Sequence, residues 1–250
     1  MLQGGTRAEG QEINEMRILK SVVHRAGQWY IKKVCSSEFQ HQTFTVHNER
    51  PIEYRFALQT LGENHPENVL DVGTGTTAWP HLLRNCGYVV TAIDNIRDYW
   101  HEGMVNRHWT VLNVDILDSK DKLSTNFEAI TCISVLEHIE DHARAMQNMV
   151  RLLATRGVLI LTTPYSHYHP HPNVYRHPQT LYGKDNQYIC RSSSETELNQ
   201  WLAAGLTLEK RELWRLFTGP VWATGQRCTW QVATIEDEPH QLGCFAFRKR

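Results

Sequence analysis

The chain has 250 residues, 41% of them hydrophobic, and a formal net charge of −1. That is enough apolar material for the core of one α/β domain with insertions, and the near-neutral charge gives no electrostatic reason to expect nucleic acid or an anionic membrane as partner. No run of about 18 apolar residues occurs, so no membrane-spanning helix is expected.

Residues 1–16 are polar and lack the apolar core of a secretory signal. They are expected to form a disordered leader, with Met16 as an alternative start. Residues 17–34 place Ile18, Leu19, Val22 and Val23 at helical spacing. Residues 51–61 read as a second short helix opening at Pro51. These two helices are expected to form a cap over 17–64, within a single domain spanning 17–250.

From there strands and helices alternate. Strands are expected at 69–72, 88–93, 110–114, 129–134, 158–163, 206–214 and 242–247. Helices fall at 77–85, weakly at 98–106, at 141–153 and at 194–204. The last carries Glu195 and Glu197 in its first turn and stops at Gly205. This alternation predicts an α/β, Rossmann-like, doubly wound fold with a seven-stranded, mostly parallel sheet. Residues 65–163 form its cofactor-binding half and 164–250 its substrate-side half. Insertions at 164–191 and 217–240 are long enough to be lids or binding loops. Trp100, Trp109, Trp222 and Trp230 read as core or rim residues rather than substrate platforms.

The six cysteines include no C-x-x-C pair. Cys86, Cys132 and Cys244 lie in apolar segments and are expected to be buried thiols, as in a protein of the reducing cytoplasm.

The informative stretch is Asp71-Val72-Gly73-Thr74-Gly75, at the end of the first strand. Glycines there let the backbone turn tightly and approach a ligand, and the next helix points its N-terminal N–H groups at it. Asp94 follows Gly75 by 19 residues, the spacing at which such folds grip ribose hydroxyls. An adenosine-bearing cofactor is therefore expected. Gly73-x-Gly75-x-x-Ala78 also fits the dinucleotide fingerprint, so NAD competes. Three features favour S-adenosyl-L-methionine (SAM). Asp71 precedes the first glycine by two residues, Asp115-Ile116 follows the third strand, and Glu137-His138 follows the fourth.

Together these motifs resemble the class I SAM-dependent methyltransferases, in particular the small-molecule branch related to quinone-biosynthesis enzymes, over 69–213. The resemblance implies strand order 3-2-1-4-5-7-6 and SAM as cofactor. It implies that Asp71 orders the loop Gly73, Thr74, Gly75, that Asp94 meets the ribose hydroxyls, and that Asn95 is also a cofactor-binding residue. Asp115 and the Ile116 N–H would bind adenine, with Ile96 against its face. Ser134 and Val135 would line the methionine side. Tyr54 and Arg55 would cover the cofactor, with Arg55 on the methionine carboxylate.

His138 is the leading candidate base, since a neutral imidazole can take a proton near pH 7. The competing role for Glu137-His138 is to order the turn. Tyr165 and His167 are further candidates, following the fifth strand. No metal is expected: His138 and His142 have helical pair spacing but no third ligand, and prolines extend the segment carrying His167, His169, His171 and His177.

The expected function is methyl transfer to an oxygen or nitrogen of a small molecule, among them a sugar, lipid precursor or secondary metabolite. A non-catalytic SAM-binding scaffold is the alternative, and an NAD-dependent oxidoreductase a distant one. The Asn/Asp-Pro-Pro-Tyr signature is absent, which argues against DNA and protein-glutamine acceptors.

Overall fold

The computed structural model describes residues 5–40, 48–120, 122, 123, 126–181 and 183–250, with side chains from Met16 onward except Glu38. Met1–Asn48 and Glu49–Arg250 are separate compact units. The two helices expected to share one cap therefore belong to different units.

Among the described residues the first unit holds one helix, α1 (Gly5–Gln40). It starts well inside the segment expected to be a disordered leader, because Arg7, Ala8, Glu9, Gln11, Glu12 and Glu15 are good helix formers. Residues 1–4 lie outside the described residues.

The second unit opens with α2 (Arg50–Asn64), whose Pro51 sits in the first turn where no N–H is needed. Its Ile52, Phe56, Ala57 and Leu61 are buried on one face. Each large apolar side chain so buried stabilises the fold by about 1.5–3 kcal/mol.

An eight-stranded sheet follows. Its strands are β1 (Asn68–Val72), β2 (Val89–Asp94), β3 (Leu112–Asn113), β4 (Phe127–Ile133), β5 (Leu153–Pro164), β6 (Leu206–Phe217), β7 (Arg227–Ala233) and β8 (Leu242–Lys249). The order is β3-β2-β1-β4-β5-β8-β6-β7. The first five strands pair in parallel, and β8 runs antiparallel to both β5 and β6. The expected order is preserved, with β8 as its seventh strand, but the count is eight. The extra strand β7 lies inside the insertion expected at 217–240 and forms the sheet edge through β6 alone.

Helices α3 (Trp79–Asn85), α4 (Ile96–Tyr99), α5 (His142–Leu152) and α6 (Glu195–Ala203) complete the unit. The weak helix expected at 98–106 is thus only one turn. Asp141 caps α5 through the Arg144 N–H, and Ser194 with Glu197 forms a capping box on α6.

Alternation along the strands makes two cores. Val69, Ala129, Ile160 and Ala246 pack with Phe56 and Leu61 of α2 and with Trp79 and Leu83 of α3. Leu70, Ile130, Leu161 and Phe247 pack with Met149 of α5 and Trp201 of α6. Cys132 and Cys244 are buried, whereas Cys86, expected to be buried, is exposed where α3 ends. Among the described residues no helix is long and apolar enough to cross a membrane.

Candidate active site

The glycine loop is built by its neighbours. Asp71 is buried on the α2/α3 side and accepts hydrogen bonds from Thr74 Oγ1 (2.6 Å) and Thr131 Oγ1 (2.7 Å). Burial raises its carboxyl to about 6. Asp94 Oδ2 accepts from the Gly75 N–H at 2.7 Å, tying the end of β2 to the loop. Gly73 has φ +75°, and a Cβ there would lie 2.3 Å from Val135 Cγ1. The backbone and the turn after β4 touch, so only glycine fits.

A cavity of about 460 Å³ opens at the carboxyl ends of β1, β2 and β4. Gly73, Gly75, Asp94, Asp115, Ser134 and His138 line it, with apolar walls that include Ile116, Leu117 and Val135. Asp115 Oδ1 accepts from the Leu117 N–H (2.8 Å), and its Oδ2 accepts from Asn95 Nδ2 (2.9 Å). The acid thus caps the 3-10 turn Ile116–Asp118 while lining the cavity.

A second, smaller cavity of about 150 Å³ adjoins these elements. Glu49, Arg50, Glu137, Tyr175, Cys190 and Trp222 are among its lining residues. Both cavities share Ser134 and His138. The Nδ1–H of His138 donates to the Ile189 carbonyl at 2.7 Å, which leaves the lone pair on Nε2. Burial lowers the imidazole pKa, so the ring is neutral near pH 7. Glu137 is raised to about 8, by burial first and then by the Glu53 and Glu49 carboxylates.

A family model described as a methyltransferase domain matches residues 39–210. The chain belongs to this methyltransferase family. It is similar to the ubiquinone biosynthesis O-methyltransferase of Alkalilimnicola ehrlichii, with 29% identity over 125 residues, covering 47% of this chain and 50% of that protein. The chain thus spans about half the length of the curated relatives it matches. Two solved structures share the fold. One is the 1,6-didemethyltoxoflavin-N1-methyltransferase of Burkholderia thailandensis, with 16% identity, TM-score 0.52, and coverage of 90% of this chain and 89% of that one. The other is a SAM-dependent methyltransferase of Archaeoglobus fulgidus, with 13% identity, TM-score 0.53, and coverage of 81% and 95%.

In this methyltransferase-family chain, the larger cavity brings together Gly73, Gly75, Asp94, Asn95, Asp115, Ile116, Ser134, Val135 and His138. Asp71 and Thr74 stand behind it and hold the loop. Tyr54 stacks on Trp79 with ring centroids 4.5 Å apart and does not line the cavity.

Four sequence expectations are corrected. Arg55 turns away from the cavity, pairs with Glu212 and lies over Trp214. Ile96 caps no cavity wall; Tyr99, Trp100 and Met104 line it instead. Tyr165 and His167 line neither cavity. Pro164 lines the smaller one, and the next side chain on a strand points to the opposite face. Tyr165 is buried in the α5/α6 core, with its hydroxyl 2.7 Å from His167 Nδ1. Trp100 lines the larger cavity, and Trp222 lines the smaller one while packing against the core.

Glu53 and Arg50 were not singled out by sequence. Glu53 is fully buried, accepts from Ser134 Oγ (2.5 Å), Thr162 Oγ1 (2.7 Å) and Arg50 Nη1 (2.9 Å), and so pins α2 to the ends of β4 and β5. The available signal was an acid among the apolar positions Ile52, Phe56 and Ala57 of one helix face.

Proposed function

We propose that this chain is a SAM-dependent methyltransferase that acts on an oxygen or nitrogen atom of a small molecule. The observation that carries this reading is the pair of cavities sharing Ser134 and His138. One is large enough for a nucleoside cofactor and the other holds only a small group.

The residues present fit the cofactor. The close approach of Gly73 to Val135 makes a backbone cradle that a side chain would fill. Asp94 would hold ribose hydroxyls, and Asp115 with the Ile116 N–H would hold the adenine edge, between apolar walls. Ser134 and Val135 would line the methionine end. When bound, SAM supplies an electrophilic methyl group whose leaving group is a neutral thioether.

The leaving group needs no proton, so the chain's task is alignment and exclusion of water. The rigid glycine loop and the Glu53 anchor of α2 hold the walls. His138 lines both cavities, and its Nε2, 4.0 Å from Glu137 Oε1, carries the lone pair that can take the acceptor's proton while its Nδ1–H stays on the Ile189 carbonyl. The test is incubation with SAM and a panel of small hydroxyl and amine acceptors, read as S-adenosylhomocysteine produced. Turnover that His138→Ala reduces supports the reading; no turnover with any acceptor opposes it.

A further inference from the structure

The smaller cavity carries an excess of acid. Arg50 Nη1 lies 2.9 Å from Glu53 Oε2, and Arg227 Nη1 lies 3.7 Å from Glu49 Oε2. Glu137 is the third carboxyl. It is 3% exposed, lines the cavity, and its Oε2 has no hydrogen-bond partner among the described residues. Its Oε1 lies 4.0 Å from His138 Nε2. A buried carboxyl left without a partner is costly unless a ligand completes it.

Two rings stand beside this acid. Tyr175 and Trp222 line the same cavity, with centroids 6.3 Å apart and planes tilted by 59°. Aromatic faces attract cations, and a cation between rings and a carboxylate is favoured by both. An anionic acceptor would meet the carboxyls of Glu49 and Glu137 against one lining arginine, Arg50, which is already paired with Glu53. A hydroxyl would give Glu137 one hydrogen bond and no opposite charge, whereas an ammonium ion favours the ionised carboxylate and so draws off the proton that burial keeps on Glu137 in the empty cavity.

We propose that the methyl acceptor carries an amino group, bound as its ammonium form by Glu137 between Tyr175 and Trp222. This rests on the methyltransferase reading and names its substrate class. Before reaction the ammonium must lose a proton. His138 Nε2 takes it, and the lone pair freed on nitrogen forms the bond to the methyl carbon, while the carbon–sulfur pair stays on sulfur. The imidazolium then returns the proton to solvent. Glu137 is thus a specificity-determining residue, and His138 the proton acceptor beside it.

The test is calorimetric titration of the protein, saturated with S-adenosylhomocysteine, with benzylamine and with benzyl alcohol. The amine is expected to bind at least about tenfold more tightly than the alcohol, the size of one charge-assisted hydrogen bond. Glu137→Gln should erase that preference while S-adenosylhomocysteine affinity stays unchanged, which also shows that the variant folds. Equal affinities in the wild-type protein, tighter binding of the alcohol, or an undiminished preference in Glu137→Gln would overturn the proposal. The wild-type comparison decides even if the variant fails to fold. Failure of S-adenosylhomocysteine itself to bind would sink the methyltransferase reading instead.

Discussion

The carboxylate of Asp94 receives the backbone N–H of Gly75 at 2.7 Å, so the acid ending β2 holds the glycine loop that ends β1. A residue expected only to meet a ligand is also part of the scaffold. Asp94→Ala removes a charge-assisted hydrogen bond, worth about 1.5–3 kcal/mol. SAM affinity is expected to fall by at least about tenfold, as titration of the variant would show. Unchanged affinity would place the ribose elsewhere.

The two loop glycines should differ. At Gly73 a Cβ meets Val135 at 2.3 Å with φ +75°, whereas at Gly75 (φ +56°) nothing lies within 4 Å. Gly73→Ala should destabilise by about 1–3 kcal/mol through overpacking and strain, and weaken SAM binding. Gly75→Ala bears only the left-handed backbone cost of about 1 kcal/mol. Denaturant unfolding of both variants checks the order; equal losses would refute the contact with Val135.

Glu53 anchors α2 from inside the molecule. Glu53→Ala leaves Arg50, Ser134 and Thr162 without their acceptor and should cost about 3–5 kcal/mol. Glu53→Gln, which keeps one acceptor oxygen, should cost less. Urea midpoints would separate them, and a Glu53→Ala protein as stable as wild type would remove the anchor from the account.

Stability should also depend on pH through Glu137. Its carboxyl is raised from an ordinary 4.5 to about 8, so between these values the native state holds a proton that the unfolded state has lost. The native state binds more protons, and stability therefore falls as pH rises across that window. Asp71, raised from 3.8 to about 6, acts with the same sign at lower pH. Thermal melts of wild type and Glu137→Gln from pH 5 to pH 9 isolate the Glu137 part. Their difference should change steadily up to about pH 8 and then level off. Parallel curves would mean that Glu137 is ionised at neutral pH.

Most of the sheet was legible because β1, β4, β5 and β8 are apolar runs between turn residues. Strand β7 was not, although Cys228, Trp230 and Val232 alternate in it. As an edge strand it buries no residue fully, and Val232 is 69% exposed, so the core signal is missing. The loop acids were readable because their spacing is fixed by the strand–turn–helix geometry. The acceptor side was not. Whether Tyr165 or Pro164 faces the cavity is set by strand parity, and whether Tyr54 or Arg55 faces Trp79 is set by helix rotation. Both depend on how the elements dock, which one-residue differences along the chain do not declare. Glu49, Glu137, Tyr175 and Trp222 meet from four distant segments.

The most direct test is calorimetric titration of the purified chain with SAM, S-adenosylhomocysteine and NAD. Micromolar binding of the first two and none of NAD is the predicted result. Absence of SAM binding, or binding of NAD in its place, would contradict the assignment of the larger cavity.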